Sequence, residues 1–207
     1  MIRHHPSETT LIAQAAGHLP VLHTRVLAVH LSVCPHCRRE LQRLEEVGGA
    51  LIATLPPAAV GEGALSRVLG RLDEPALAET APIAPETPVT LQALAVRRWW
   101  WLGPGVRLMP LSRRDASDTR LDLIRVAPGV AMPGHGHTGA EIACILQGAY
   151  TDETGEYAAY DIAEGDAGLD HAPVASAGRE CICLIATTGR LRGHTWLARL
   201  VQPLIDV

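Results

Sequence analysis

Gly129-Val130-Ala131-Met132-Pro133-Gly134-His135-Gly136-His137-Thr138-Gly139-Ala140-Glu141-Ile142-Ala143-Cys144-Ile145-Leu146-Gln147-Gly148 reads as strand, turn, strand. Residues two apart on a strand face the same way, so His135 and His137 point to one side. Thr138-Gly139 supplies a turn, and the strand after it can return the carboxylate of Glu141 to the same point. His171, with Gly168 three residues before it, can add a third imidazole from a distant strand. Three imidazoles and a carboxylate bind zinc, iron, manganese or nickel. The alternative, a set of polar barrel residues holding water, is disfavoured because four metal-capable side chains lie within the 37 residues from 135 to 171.

The chain around this stretch has the same character. Apolar runs at Leu121 to Ala127, Ile142 to Leu146 and Cys181 to Thr187 are separated by Gly, Pro and Asp clusters. Short runs at such intervals predict an all-β barrel or sandwich. Alternating strand faces would expose at least one ring of the Trp99-Trp100-Trp101 triplet, which reads as a barrel edge or a domain contact. Cys181 and Cys183 share a strand face and, with Cys144, read as barrel core.

The first half is helical in pattern. Ser7 is a candidate N-cap with Glu8 in the first turn, followed by Leu11, Ile12, Ala15 and Leu19 at helical spacing. Leu22, Val26, Val29 and His30 share a face of a second helix. Cys37, Leu41, Leu44, Gly48, Leu51 and Leu55 form the stripe of a third, which Pro56-Pro57 ends. Leu65, Val68, Leu69 and Leu72 suggest a short fourth. Pro75, Pro82, Pro85 and Pro88 among Ala, Glu and Thr then mark a linker. The expected division is a helical domain over 1–75, a Pro-rich linker over 76–90 and a β domain over 91–207.

A second constellation sits in the helical part. His30-Leu31-Ser32-Val33-Cys34-Pro35-His36-Cys37 has the form H-x3-C-x2-C. Thiolate and imidazole suit zinc, which takes about four N or S ligands in a tetrahedron. Pro35 disfavours helical geometry at Cys34 and favours a helix start at its own position. The helix of His30 should therefore end near Ser32, with the next beginning at Pro35 and the metal pinning the junction. A fourth ligand is needed, and His4 and His5 are both candidates. His36 is poorly directed. Buried cysteines beside a core histidine are the competing reading, and a thioredoxin-like redox pair lacks its strand-loop-helix context.

Composition bounds the rest. The 207 residues are 47% hydrophobic, which supports real cores. The net charge of -4 argues against direct nucleic-acid binding. An odd cysteine count of 5 points to ligands or free thiols rather than a disulfide framework. There is no apolar run long enough for a signal peptide or a span, so a soluble cytoplasmic protein is expected.

Taken together, Ile2-Arg3-His4-His5, the motif from His30 to Cys37, Val47-Gly48-Gly49, His135-Gly136-His137, Leu146-Gln147-Gly148-Ala149, Asp152-Glu153-Thr154 and Cys181-Ile182-Cys183-Leu184 resemble the ChrR family of zinc-binding anti-sigma factors. The spacing from Gly129 to Gly148 also matches the first cupin motif. The second cupin motif is looser: His171 is present, Tyr160-Asp161 stands where Gly-Asp is usual, and Pro-x-Gly and the final Asn are missing. The resemblance implies a helical zinc-binding anti-sigma domain followed by a cupin barrel of the jelly-roll type. It implies that His5, with His30, Cys34 and Cys37, holds zinc, and that His135, His137, Glu141 and His171 hold zinc or another divalent metal. It also implies an extracytoplasmic-function sigma factor as partner and an oxidative signal, singlet oxygen in that family.

The expected mechanism is binding rather than catalysis. Zinc supplies folding free energy to a small helical domain. An apolar face including Leu11, Leu22, Val26, Leu51 and Leu55 is expected to cover the sigma factor, and the free chain is expected to dimerise through it. The rival expectation is a metal-dependent cupin dioxygenase or isomerase with an accessory zinc domain.

Overall fold

The computed structural model describes residues 2–72 and 98–193. The linker assigned to 76–90 lies outside the described residues. The helices are α1 (Glu8–Ala15), α2 (Val21–Val33), α3 (Pro35–Ala53) and α4 (Ala64–Gly70). Ser7 caps α1, its side chain accepting from the Thr10 amide at 3.3 Å. The apolar spacing carried the expected helix on to Leu19. It stops at Ala15 because Gly17 turns left-handed at φ 70°, letting the His18 amide close the end on the Ala13 carbonyl. As expected, α2 ends at Val33, Cys34 is extended (φ -101°, ψ 99°) and Pro35 opens α3. Among the described residues no helix is long and apolar enough to cross a membrane.

The second half is an antiparallel barrel. Its strands are β1 (Trp100–Gly103), β2 (Val106–Pro110), β3 (Thr119–Val126), β4 (His135–His137), β5 (Glu141–Gln147), β6 (Ala149–Asp152), β7 (Gly155–Ala158), β8 (Ile162–Gly165), β9 (Asp170–His171), β10 (Val174–Ala175), β11 (Cys181–Thr188) and β12 (Leu191–Gly193). One sheet has the order β1-β2-β3-β11-β5-β8, and two smaller ones have β10-β6-β7 and β12-β4-β9. The register Tyr150↔Tyr157 makes β6–β7 a tight hairpin. At Gly148 (φ 73°) a Cβ would collide with the Glu180 carbonyl, so the turn from β5 into β6 requires glycine. β1 is an edge strand, as the Trp triplet implied. Trp100 and Trp101 are exposed there, while Trp99 packs on the core.

The large sheet is buried on both faces. On the inside, Val106, Leu108, Ile124, Cys181 and Cys183 meet Tyr150 and Tyr157 of the facing hairpin. On the outside, Leu22, Val26 and Val29 of α2 pack on Leu121, Leu123, Ile142, Cys144, Ile182, Leu184 and Ala186. This explains why β3 is buried along nearly its whole length and why β11 is apolar from Cys181 to Ala186 instead of alternating. It also corrects the expected partner-binding face: Leu11, Leu22 and Val26 are buried within the chain. The core that belongs to the helices alone is small, consisting of Leu27, Leu31, Cys34 and Cys37 with Ile2, Leu19 and Leu41 against it.

Because α2 and the sheet share one core, helix and barrel should unfold together. Leu123→Ala, at a fully buried position, is expected to cost about 2–5 kcal/mol. In urea, the helical circular dichroism and the near-ultraviolet tyrosine signal should shift to lower denaturant in parallel. Separate midpoints would contradict a shared core.

Candidate functional site

Two clusters of ligand-type side chains emerge. In the first, His5, His30, Cys34 and Cys37 each place one donor atom within 4.8 Å of the others. His5 Nδ1 lies 3.5 Å from Cys34 Sγ and 3.3 Å from Cys37 Sγ, and His30 Nε2 lies 3.3 Å from Cys37 Sγ. Bonds of about 2.3 Å to sulfur and 2.0 Å to nitrogen give a tetrahedral S···N edge of about 3.5 Å, so the spacing fits one zinc-sized ion. The two adjacent histidines, both open in the motif alone, turn in different directions. His4 turns to the barrel, its ring 4.3 Å from that of Tyr157, and His5 turns to the thiols. His36 lies beside His5, ring centres 5.0 Å apart, outside the four.

Each ligand is held from behind. The helix break at Cys34 sets the two thiols one turn apart on either side of Pro35. His30 Nδ1 donates to the Tyr160 carbonyl at 2.7 Å, which leaves the lone pair of Nε2 facing the thiols. Burial pushes the Cys37 thiol up to about 12, with Cys34 and Glu40 adding to the effect. Without a cation this thiol stays protonated, so metal binding here must expel a proton.

The second cluster gathers His135, His137 and His171 in the barrel. β4 and β9 pair His135 with His171 directly across the ladder. His135 Nδ1 donates to the Pro133 carbonyl at 3.0 Å, and His171 Nδ1 donates to Asp152 at 2.9 Å. The two Nε2 atoms face each other at 3.2 Å. A proton or a metal cation between them engages both. His137 is 1% exposed and neither ring nitrogen has a hydrogen-bond partner. Burying it so is costly unless an ion engages it. The residues thus fit a divalent metal. Glu141, expected as a fourth ligand, lies outside the group of three. Its Oε2 is 3.6 Å from His137 Nδ1 and accepts from Thr187 at 3.1 Å.

The cluster opens into a cavity inside the barrel, lined also by Glu141, Cys181 and Cys183. These two thiols lie 3.6 Å apart and face inward. The same cavity holds an ion pair that sequence reasoning missed: Arg120 grips Asp122 with two bonds, at 2.6 and 2.8 Å, both side chains buried. Its signal was present, because two charges at a spacing of two inside an apolar strand must point to the interior together. Asp152, Tyr160 and Asp161, which orient the ligands, were also missed as site residues.

The pH dependence follows from burial. Burial lowers the pKa of His23 and His135 and, with the neighbouring His171, holds His137 down at about 4 against the ordinary 6.5. Between these values the unfolded chain takes up protons that the folded chain refuses. The metal-free protein should therefore keep full stability above pH 6.5 and lose it as the pH falls towards 4. Each fully titrating group contributes at most about 1.4 kcal/mol per pH unit. Urea midpoints of chelator-treated protein across this range check it, and a midpoint that rises on acidification would contradict it.

Residues 88–190 match the ChrR cupin-like domain. The chain is 41% identical over 215 residues to the anti-sigma-E factor ChrR of Cereibacter sphaeroides, covering 100% of this chain and 99% of that protein. It is similar in structure to ChrR from the crystal structure of Rhodobacter sphaeroides SigE in complex with the anti-sigma ChrR, with a TM-score of 0.76, 42% identity, and coverage of 90% of this chain and 99% of that one. With a full-length relative at this identity, the chain belongs to the ChrR family.

Proposed function

We propose that this protein is a cytoplasmic anti-sigma factor that sequesters an extracytoplasmic-function sigma factor and releases it on an oxidative signal received by the barrel. The observation that carries the reading is an apolar surface left open by the helices. Along α3 the stripe is buried at Cys37, half-buried at Leu41 and Leu44 and bare at Leu51 (64% exposed), and Leu55, just past the helix, is bare as well (66% exposed). On α4 no residue is buried, and Leu65, Val68 and Leu69 are exposed. A run of this kind marks a protein interface. The similar ChrR structure was solved with SigE, which supports a sigma factor as the occupant. Covering the sigma factor's own docking surface denies it to core RNA polymerase. The free chain is expected to self-associate through the same surface.

Zinc is the metal assigned to His5, His30, Cys34 and Cys37. Two thiolates and two neutral imidazoles leave it formally neutral, which suits a buried position. In this site it locks α2 to α3, and so sets the direction in which the bare half of α3 projects. The barrel cluster, with Glu141 as an added ligand, holds zinc or another divalent metal and forms the sensory end, with singlet oxygen as the family's signal.

The test uses the tagged full chain, since helices and barrel share a core. Incubated with extract of its source cells, it should retain a sigma factor and lose it on zinc chelation. Cys37→Ser should weaken capture more than about tenfold. Leu51→Glu with Leu55→Glu should keep the zinc and weaken capture by about thirtyfold or more, as truncated interface anchors do. A zinc-loaded, folded chain that retains no sigma factor sinks the reading. Iron in the purified protein with oxygen-dependent turnover would favour an enzyme instead.

A further inference from the structure

One stretch of the barrel touches both ligand clusters. At one end Asp152, closing β6, accepts from His171 Nδ1 of the three-histidine cluster at 2.9 Å. Its second oxygen accepts from the Thr154 amide at 2.8 Å, the Thr154 hydroxyl at 2.5 Å and the Gly155 amide at 3.3 Å, so the carboxylate is fully engaged. The Thr154 hydroxyl also bonds the Tyr157 hydroxyl at 2.9 Å. The Tyr157 ring packs on His4 at 4.3 Å, with Gly155 backing the same imidazole.

At the other end the stretch holds the ligands of the thiol cluster. Asp161, 0% exposed, accepts from the Arg3 amide at 2.7 Å and the His4 amide at 3.0 Å with one oxygen, and from the Ala158 amide at 2.9 Å with the other. The Ile162 amide donates to the His4 carbonyl at 3.1 Å. These bonds fix the backbone just before His5, a ligand whose own side chain is exposed. The neighbouring Tyr160 takes the left-handed conformation, φ 70°, and so aims its carbonyl at His30 Nδ1. Such a conformation is strained for tyrosine and persists only when its surroundings enforce it.

We propose that residues 152 to 161 form a mechanical link between the two centres. Asp152 positions His171, while Tyr160 and Asp161 position His30 and His5, so displacement of His171 alters ligand geometry at the thiol site. The link rests on both clusters being metal centres and the barrel being the sensory half, whatever the partner. A chain of contacts alone does not establish coupling, so the test is a cycle of variants.

The full chain is loaded with cobalt, whose sulfur-to-metal absorption reports the thiol site. Cys37→Ser should abolish that band and so identify it. A chelator then extracts the cobalt, and the rate is compared between His171 and His171→Gln backgrounds. The expected result is loss about fivefold faster with His171→Gln, in the usual range of coupling between sites. Thr154→Val, which removes one hydroxyl at an exposed residue, should bring that ratio to about one. Tyr157→Phe, which keeps the ring against His4, should do the same. Asp161→Asn should speed loss in both backgrounds; if it fails to fold, the other two variants decide. An unchanged ratio in Thr154→Val and Tyr157→Phe overturns the link, as does an equal rate with and without His171. Sigma capture is measured on the same preparations. Coupling without capture would remove the anti-sigma reading and leave the link standing, whereas capture without coupling would remove the link alone.

Discussion

Four donor groups lie within 4.8 Å of one another at the α2–α3 junction and could hold a cation. Two are buried thiols, one of them pushed up to about 12 by burial. One is an imidazole whose proton is committed to a carbonyl on its far side. Only an ion of tetrahedral habit uses all four lone pairs at once. Much of the molecule serves that convergence: the extended residue at Cys34 and Pro35 after it, the N-terminal strap that delivers His5, and the barrel turn that holds strap and His30 alike. The helices have little core of their own, so the barrel takes the place of the hydrophobic centre that a small helical unit lacks, and a metal at the thiol site would add to it.

The sheet covered on both faces is the second organising fact. α2 is the outer cover, and this gives it two duties. Leu22, Val26 and Val29 press on the barrel, while His30, also buried, turns to the thiol of Cys37. A shift in the barrel wall therefore has a direct route to the helices through packing, in addition to the hydrogen bonds of the turn at Tyr160. The surface that remains open is on α3 and α4, away from this double constraint. Rigid support and free interface are thus divided between neighbouring helices.

Much of this was legible in the chain. The proline after Cys34 announced the helix break, and the spacing of His135 and His137 announced a shared strand face. The open choice between His4 and His5 could not be resolved locally, because it is made by Tyr157 and Asp161, far along the sequence. Leu22 and Val26 looked like an interface because helical periodicity tells which residues share a face but not what covers it. The unbroken apolar run of β11 from Cys181 to Ala186 carried the missing signal, since an antiparallel strand with no polar side must be covered on both. Tyr160-Asp161 looked like a degraded Gly-Asp turn. In the fold Tyr160 takes the left-handed conformation usual for glycine, and Asp161 becomes the anchor of the N-terminus. Asp152 stood only among the segments of the family resemblance, because its bond to His171 spans nineteen positions that only the barrel brings together.

The most direct measurement is zinc K-edge X-ray absorption of the full chain carrying His135→Ala and His171→Ala, loaded with one equivalent of zinc so that the thiol site alone is read. The account predicts a first shell of about two sulfurs near 2.3 Å and two nitrogens near 2.0 Å. A shell of nitrogen and oxygen only, or one with three or more sulfurs, would contradict it.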